Sequence, residues 1–270
     1  MHRIVPISDP GAPELRVFRT LRRPVEHFRE GLFVAEGSKV VRRLLTSPLR
    51  VHALLVTPEW LEALRHELET RPEPLTAYVA ARGALEEIVG FHLHQGVMAL
   101  GQVPAPASLG TLTALPAPHL FVALDGLTNA ENIGVLVRNA AAFGAQGIIV
   151  GETSSSPYLR RAVRNSMGTV FGMPVVHTED LAATIGELRT HRGVRVIGAH
   201  PHAEQRALPA TDLTRSCCFV FGSEGEGLSE GILRACDEAV AVPMAEGVDS
   251  MNVASAAAVF LYEAYRQRRG

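Results

Sequence analysis

The segment AVAVPMAEGVDSMNVASAAAVFLYE, residues 239–263, joins a short apolar run to a helix-forming stretch through a polar turn. Its first four residues are small or apolar and precede Pro243, which cannot donate to a sheet ladder, so they predict a short buried strand. From Met251 onward, apolar residues recur at steps of three and four, which predicts a helix. Ser250 and Asn252 lie where that helix begins, and their side chains could cap its free amides or reach into a crevice.

The composition is that of a globular protein with a sizeable core. The chain has 270 residues, of which 47% are hydrophobic and 20% are charged, a size that suits one large domain or two ordinary ones. No apolar run is long enough to cross a bilayer, and the first 30 residues lack a secretory apolar region, so we predict no membrane association and a cytoplasmic location. The three cysteines have no metal or disulfide spacing and are predicted to be core residues.

The charge distribution is uneven along the chain. The net charge is only −2, which excludes a polycation that coats nucleic acid indiscriminately. Residues 1–50, however, carry ten basic side chains against five acidic ones, and Lys39 is the only lysine in the protein. This basic region indicates either RNA contact or a solvated face. His92 and His94 flank Leu93 without a third ligand in view, so we predict no metal site.

Two alternating patterns of strands and helices are separated by one linker. In the first pattern the strands are predicted at 32–34, 51–56, 75–79 and 96–100, and the helices at 36–45, 58–68 and 84–89. Residues 102–118 are rich in Pro and Ala and predict a linker. In the second pattern the strands are predicted at 120–124, 147–150, 174–176, 194–199, 217–221 and 239–242, and the helices at 132–143, 159–166, 179–191, 229–236 and from 251 to about 267. Near-continuous apolar strands with intervening helices predict a parallel sheet that is covered on both faces.

Ligands on parallel sheets gather at the carboxyl ends of the strands, and three such ends are polar and rich in glycine. The first stretch, LDGLTNAENIGVLVRNAAAFGA, carries Asn132 at the cap or first turn of a helix. It also carries Arg138 among apolar neighbours, which predicts either a buried arginine with an anionic partner or a solvated helix residue. The second stretch, FVFGSEGEGLSE, places Glu224 in a glycine turn but lacks the G-x-G-x-x-G order of a dinucleotide-binding loop. The third stretch is the segment 239–263 described above.

Together, in this order and spacing, the three stretches resemble the SpoU, or TrmH-like, family of S-adenosylmethionine-dependent RNA ribose 2′-O-methyltransferases in the SPOUT superfamily. The first family motif is matched by Asn132, Gly134 and Arg138, and the second by FGSEGEGL. The third motif is matched by Pro243, Met244, Ser250, Asn252 and Val253. The resemblance covers residues 119–266. Two turn positions depart from the family pattern: Ala130 stands where proline is usual, and a glycine is displaced to Gly247.

The resemblance implies an α/β fold in which a parallel-sheet domain contains a C-terminal trefoil knot. The upstream segments LFVAEGSKVVRRLL and HQGVMALG resemble a small N-terminal α/β domain, akin to a ribosomal-protein fold, that binds RNA in many members. We therefore predict an RNA substrate-binding domain with a basic leader at 1–101, a linker at 102–118 and a methyltransferase domain at 119–270. Family members are typically homodimers whose active site is shared between subunits.

The resemblance also implies roles for individual residues. The implied cofactor-binding residues are Gly222, Gly227, Val242, Met244 and Met251. The implied catalytic residues are Asn132, Arg138, Glu224, Ser250 and Asn252. The residues predicted to contact RNA are Arg22, Arg23, Lys39, Arg42, Arg43 and Arg164, although Arg164 could equally be a surface helix charge.

The reaction implied is transfer of the methyl group of S-adenosylmethionine to a ribose 2′-oxygen, with rRNA favoured over tRNA because a separate N-terminal domain accompanies many rRNA-directed members. Arginine stays protonated near neutral pH, so a charged Arg138 that stabilises the forming alkoxide is favoured over a neutral base. The alternatives are a tRNA target and a non-catalytic RNA-binding or assembly factor on the same fold. A nicotinamide-dependent enzyme is a distant third because the dinucleotide fingerprint is missing.

Overall fold

The computed structural model describes residues 2–21, 24–93, 95–201 and 206–269. Contacts divide the chain into two compact units. Unit 1 contains Met1–Ala105 and Tyr158–Gly172, and unit 2 contains Pro106–Pro157 and Met173–Gly270. The segment Tyr158–Gly172, which the sequence places in the methyltransferase domain, thus folds with the N-terminal residues.

The helices and strands alternate along most of the chain. From the N-terminus to the end of the first pattern they are β1 Arg3–Pro6, α1 Arg16–Arg19, α2 Pro24–Arg29, β2 Leu32–Glu36, α3 Ser38–Thr46, β3 Val51–Val56, α4 Pro58–Ala63, α5 Arg65–Glu69, β4 Thr76–Val79, α6 Arg82–Val89 and β5 Val97–Gln102. The remainder are α7 Leu109–Thr113, β6 Leu120–Leu124, α8 Ala130–Ala142, β7 Gly147–Val150, α9 Arg160–Asn165, β8 Val175–His177, α10 Leu181–Arg192, β9 Arg195–Ala199, β10 Cys217–Phe221, α11 Glu230–Ala235, β11 Glu238–Val240 and α12 Val253–Arg269. None of the helices in the described ranges is long and apolar enough to cross a membrane.

Unit 1 is built on a five-stranded mixed sheet with the order β1-β4-β3-β5-β2. Strands β1, β3 and β4 run parallel, whereas β5 is antiparallel to both β2 and β3. The carboxyl ends of β2, β3 and β4 and the start of β5 therefore meet at one edge of this sheet. The segment Tyr158–Gly172 belongs here because Phe33 of β2 contacts the rings of Tyr158 and Phe171, with centroids 5.6 and 5.3 Å apart.

Unit 2 contains a six-stranded sheet with the order β11-β9-β10-β6-β7-β8. Every strand pair in it is parallel, which confirms the predicted α/β class with a parallel sheet. Apolar side chains of α10 and α11 pack on one face of the sheet. Phe260 of α12 is also buried, edge-on to Phe219 and Phe221 of β10. The cysteines are buried core residues as predicted, and burial raises the pKa of Cys217 to about 11 and of Cys236 to about 12.

Several local predictions differ from the structure. Strand β1 was not predicted, since its sequence RIVP alternates too briefly to give a period. The predicted linker contains α7, whose Leu112 is fully buried in the unit 2 core because it packs under β7, where Gly147 leaves room. The predicted helix at 58–68 is divided into α4 and α5 at Leu64. Helix α12 begins at Val253, two residues later than predicted.

Candidate functional site

The three glycine-rich segments of unit 2 meet at the carboxyl edge of its parallel sheet. The first follows β6 and leads into α8, the second follows β10 and leads into α11, and the third follows β11 and leads into α12. Strands β6 and β10 are neighbours, and β9 alone separates β10 from β11. Because all of these strands are parallel, their loops emerge on the same side, as expected for a ligand site on such a sheet.

The loop after β10 is a tight turn that depends on glycine. Ser223 and Gly227 exchange two backbone hydrogen bonds of 3.0 and 3.1 Å, which close the loop onto itself. A Cβ at Gly222 would lie closer than 3.0 Å to the backbone of Gly227 and Leu228, so only glycine fits there. Gly227 has a φ of +71°, a conformation that favours glycine. The loop therefore offers backbone groups at a surface that side chains do not cover.

Hydrogen bonds connect one polar side chain from each of the three segments. The Asn132 amide nitrogen donates to Glu224 Oε1, and the Asn252 amide nitrogen donates to Asn132 Oδ1 at 3.1 Å. The Asn252 oxygen accepts from the backbone amides of Ala254 and Ser255 at the start of α12. Asn252 is thus both the cap of α12 and a member of this chain of hydrogen bonds, which we call the amide relay of Asn132, Glu224 and Asn252.

Asn132 is not a helix cap. Asn129 caps α8, because its Oδ1 accepts from the backbone amides of Glu131 at 2.9 Å and Asn132 at 3.3 Å. The helix consequently begins at Ala130, the position where the family pattern has proline. The Asn132 side chain is left available for the amide relay.

A cavity of about 510 Å³ opens beside the glycine loop. Its walls include all five residues that the resemblance implied for the cofactor, which are Gly222, Gly227, Val242, Met244 and Met251. Three of the implied catalytic residues also line it, namely Glu224, Ser250 and Asn252. Val240, Ala256 and Phe260 supply apolar surface. The size and mixed lining are typical of a small-molecule site.

The negatively charged lining of the cavity favours a cationic ligand. Glu224, Glu226 and Asp249 line the cavity, whereas the described residues of its lining include neither arginine nor lysine. A pyrophosphate or another polyanion would be repelled by these carboxylates, and a cationic ligand would be attracted. The geometry and charge therefore disfavour a nicotinamide dinucleotide. Within the described residues no group of three or more His, Cys, Asp or Glu side chains could hold a metal ion, and His94 lies outside them.

Arg138 lies outside the cavity lining. The sequence left open a buried arginine with an anionic partner or a solvated helix residue, and the structure shows the second. It is exposed on α8, and among the described residues it forms no hydrogen bond or ion pair. Helix α8 buries Ile133, Leu136, Val137 and Ala140, whereas Val135, Arg138 and Ala142 occupy the opposite, exposed stripe. Leu136, Val137 and Ala140 therefore point away from Arg138, whereas Val135 and Ala142 share its stripe.

The residues predicted to contact RNA differ in how free their side chains are. Lys39 is exposed and has no ion pair within the described part of the chain. Arg42 pairs with Glu67 and donates to the Ala63 carbonyl at 2.7 Å. Arg43 donates to the Met167 carbonyl at 2.7 Å, so it and Arg42 both have internal structural partners.

The Arg164 side chain binds Glu36 at 2.9 Å yet remains 56% exposed. It therefore keeps part of its guanidinium available. Arg22 and Arg23 lie outside the described residues.

Sequence reasoning missed Asp125 and His200. Asp125 follows β6, and its carboxylate accepts from the backbone amide of Ser229 at 2.8 Å, at the start of α11. Its own amide donates to the Phe221 carbonyl, so Asp125 fixes both ends of the glycine loop. His200 follows β9 and lines the cavity. An acid or histidine directly after an apolar strand was the available signal in both places.

Comparison with known proteins gives consistent matches. A sequence model described as the SpoU rRNA Methylase family matches residues 119–262. An uncharacterized tRNA/rRNA methyltransferase of Mycobacterium tuberculosis is 34% identical, over 96% of this chain and 91% of its own. The crystal structure of the SpoU methyltransferase AviRb from Streptomyces viridochromogenes superposes with a TM-score of 0.83 at 27% identity, covering 96% of this chain and 98% of its own. The same enzyme in complex with the cofactor AdoMet matches with a TM-score of 0.82 at 26% identity, over 96% of this chain and 99% of its own.

Proposed function

The chain belongs to the SpoU rRNA methylase family, and from this premise we propose that it transfers the methyl group of S-adenosylmethionine to a ribose 2′-oxygen of structured RNA. As a member of this family, the chain is an S-adenosylmethionine-dependent RNA methyltransferase. We favour rRNA over tRNA because the chain carries a separate N-terminal unit. The observation that carries the proposal is the acidic cavity beside the glycine loop, joined by the amide relay to α8 and α12.

The cavity fits the cofactor in size and charge. Its volume of about 510 Å³ lies within the range of roughly 300–1,000 Å³ that is usual for small-molecule sites. The close approach of Gly222 to Gly227 leaves backbone groups accessible, and Val242 and Met251 supply further backbone and apolar contact. The carboxylates of Glu224, Glu226 and Asp249 complement the positive charge of a sulfonium and an ammonium group. When bound, S-adenosylmethionine supplies an electrophilic methyl group.

The chain's own residues then position the substrate. The amide relay fixes the Glu224 carboxylate and both asparagine side chains, so these groups have one orientation before RNA arrives. Ser250 lines the same cavity without a competing hydrogen bond among the described residues, and we assign it to orienting the ribose. The Arg138 guanidinium binds the adjacent phosphate and stabilises the negative charge that develops on the 2′-oxygen as its proton passes to solvent.

We also propose that the protein acts as a homodimer in which Arg138 serves the partner's cavity. Arg138 is exposed and lies outside the lining of its own cavity. On the same stripe of α8 Val135 is 36% exposed, and on α12, which packs against α8, Val259 and Tyr262 are 37% and 52% exposed. A two-helix surface with these apolar side chains is suited to a subunit contact.

The C-terminal trefoil knot is likewise a proposal. The path of the chain supports it. After β10 the chain crosses β9 and forms β11 on the other side of that strand, and α12 then packs against α8.

The test of the function is methyl transfer from labelled S-adenosylmethionine to purified rRNA and tRNA that lack modifications, followed by mass spectrometry of the nucleosides. We expect a 2′-O-methylated nucleoside in rRNA with the wild type and none with Arg138→Ala. Label in tRNA alone would transfer the proposal to that substrate. Methyl groups on a base would refute the ribose assignment, and RNA binding without any label would identify a non-catalytic binding factor.

A mixing experiment tests the shared site. Arg138→Ala and the cofactor-loop variant Gly222→Ala are each expected to be inactive alone. If Arg138 acts on the partner's cavity, a mixture of the two forms heterodimers in which one cavity has both an intact glycine loop and an arginine from the other subunit. Activity should then reappear on mixing. A mixture that remains inactive although heterodimers form would place Arg138 in its own subunit's site.

A further inference from the structure

Unit 1 contains a second cavity of about 510 Å³, at the edge of its sheet where β2 ends and β5 begins. The described residues that line it all belong to unit 1, and they are Glu36, Gly37, Lys39, Val40, Leu93, Gln95, Val97, Arg164 and Met167. We propose that this cavity binds one unpaired nucleotide of the RNA substrate, with the base on its apolar floor and the phosphate at Lys39 and Arg164. The proposal rests on the proposed function insofar as that function makes RNA the substrate.

The floor of the cavity is apolar and rigid. Val40, Leu93 and Val97 are each at most 3% exposed, so they are held by the unit 1 core. Met167 adds a flexible, polarisable side chain that adapts to a flat ring. Unpaired bases expose such rings, whereas a base inside a duplex does not, and proteins read RNA sequence mainly at unpaired nucleotides.

The rim of the cavity is positively charged. Lys39 is exposed and has no ion pair among the described residues, and Arg164 uses one guanidinium nitrogen for Glu36 while its side chain remains 56% exposed. The second Glu36 oxygen is bound by Arg160, which is only 18% exposed, so the one carboxylate at this site is fully neutralised. A phosphate therefore meets two available cations. The unit 2 cavity has the opposite character, since three carboxylates line it without lysine or arginine.

Two backbone features shape the cavity and are maintained by specific contacts. Met167 has a φ of +53°, which is uncommon for a residue with a side chain, and Arg43 holds its carbonyl through a hydrogen bond of 2.7 Å. Gly37 has a φ of +93° at the start of α3, where the Gln95 side-chain oxygen accepts from the Ser38 amide at 2.7 Å. This bond leaves the Gln95 amide nitrogen free to donate to the edge of a base. Strain that is held in place at a cavity wall is typical of a binding site.

Lys39 makes the proposal directly testable, because it is the only lysine in the chain. A short unpaired oligoribonucleotide is oxidised with periodate at its 3′ ribose to give a dialdehyde. A lysine amine condenses with an aldehyde to an imine and releases water, and cyanoborohydride supplies the hydride that reduces the imine to a stable amine. We expect peptide mass spectrometry of the full-length protein to locate the RNA on Lys39, and an excess of unoxidised oligomer to suppress the product.

Fluorescence anisotropy of variants at position 39 distinguishes the effect of the Lys39 charge on RNA binding from a structural effect of the substitution. Lys39→Ala should weaken binding of the oligomer roughly tenfold and lower the slope of log affinity against log salt by about one. Lys39→Arg keeps the charge and should bind within about twofold of the wild type while giving no cross-link at position 39. Arg65→Ala is the matched control, since Arg65 is an exposed unit 1 arginine that pairs with Glu62 and does not line the cavity.

Two further arms test the nucleobase and the dependence on the proposed function. An abasic oligomer should bind more weakly than the oligomer with bases, and a duplex should lose less affinity than the unpaired oligomer on Lys39→Ala. Equal effects on duplex and unpaired RNA, or cross-links confined to the N-terminal amine, would overturn the nucleotide pocket. Failure of the proposed function has a different signature, which is absence of S-adenosylmethionine binding or of methyl transfer while the Lys39 cross-link persists.

Discussion

Replacement of Gly222 by alanine should weaken cofactor binding at the proposed site without unfolding the chain. A Cβ at this position would lie closer than 3.0 Å to three backbone atoms of Gly227 and Leu228, and backbone cannot move aside as a flexible side chain can. The loop must therefore open, which breaks the two hydrogen bonds between Ser223 and Gly227. These bonds, at about 1 kcal/mol each, favour the closed loop, so the loop opens only because the clash outweighs them. Forcing it closed again then carries a net overpacking cost of about 1–3 kcal/mol.

A ligand that requires the closed loop must overcome this cost when it binds. We expect the affinity for S-adenosylmethionine to fall by roughly 30-fold in Gly222→Ala, because about 1.4 kcal/mol corresponds to a factor of ten. Isothermal titration calorimetry measures the affinity, and circular dichroism verifies that the variant is folded. The Ser250 and Asn252 side chains do not change, so the loss reports on the loop alone.

Two other glycines of the same loop supply graded controls. A Cβ at Gly225 meets no atom within 4 Å, and its φ is not positive, so Gly225→Ala should bind within about twofold of the wild type. Gly227 also has open space but a φ of +71°, so Gly227→Ala should lose about 1–2 kcal/mol of stability through backbone strain. The expected order of damage is Gly222, Gly227, Gly225. If Gly222→Ala bound the cofactor as well as Gly225→Ala, the close approach of the loop would not be what forms the site.

Three further predictions concern other parts of the site and fold. Arg138→Ala should lower the rate of methyl transfer by roughly 100-fold or more. Calorimetry should show a cofactor affinity within about twofold of the wild type, because Arg138 lies outside the cavity lining. A matching loss of affinity would contradict its proposed role. The Arg268 guanidinium donates to the carbonyls of residues 119, 213 and 215. Arg268→Ala should therefore destabilise the protein by about 2–4 kcal/mol and lower Tm by roughly 5–15 °C in calorimetric scans. An unchanged Tm would refute this. Hydrogen bonding from Arg266 lowers the pKa of Glu263 to about 2, so its stabilising effect is complete above about pH 4.5 and is lost as pH falls towards 2. Acid unfolding of Glu263→Gln should lack this component, and an identical acid profile would argue against it.

The sequence was informative wherever a local pattern determines the structure. The apolar runs that form β6, β7 and β10 are compatible with few structures other than a buried strand. The polar stretches that follow parallel strands must lie at one edge of the sheet. The glycines and polar residues of the second and third motifs were therefore expected in a common cleft, and eight of the predicted residues do line one cavity. Their individual chemical roles remain predictions, because the spacing of residues along the sequence does not specify their hydrogen-bond partners.

Long-range packing decided the features that the sequence did not reveal. Asp125 and Ser229 are far apart in sequence, so the bond between them follows only once β6 and β10 are known to be neighbours. The segment Tyr158–Gly172 joins unit 1 through Phe33 and Glu36, which precede it by more than 120 residues. No periodicity within the segment could indicate these partners.

At Arg138 the sequence left two alternatives open. Its neighbours in sequence are apolar, which kept burial among them, but adjacent positions on a helix point in different directions. Residues three or four positions away share its face, and Val135 and Ala142, at three and four positions from it, are both exposed. A helical projection of α8 from sequence alone would have placed Arg138 at the surface.

The distribution of charge links these findings to RNA recognition. Under the proposed function, a ribose 2′-hydroxyl that enters the unit 2 cavity brings its flanking phosphates with it, and the described lining of that cavity offers three carboxylates and no lysine or arginine. The cations that compensate these phosphates must therefore come from outside that lining, and Arg138, exposed on α8, is a candidate. The Lys39 and Arg164 rim of unit 1 has available side chains for phosphates elsewhere in the RNA. Binding of RNA should consequently depend on salt much more steeply than binding of the cofactor. Screening weakens the attraction of RNA phosphates to these cations strongly, whereas S-adenosylmethionine, held by one small acidic cavity, should lose little affinity.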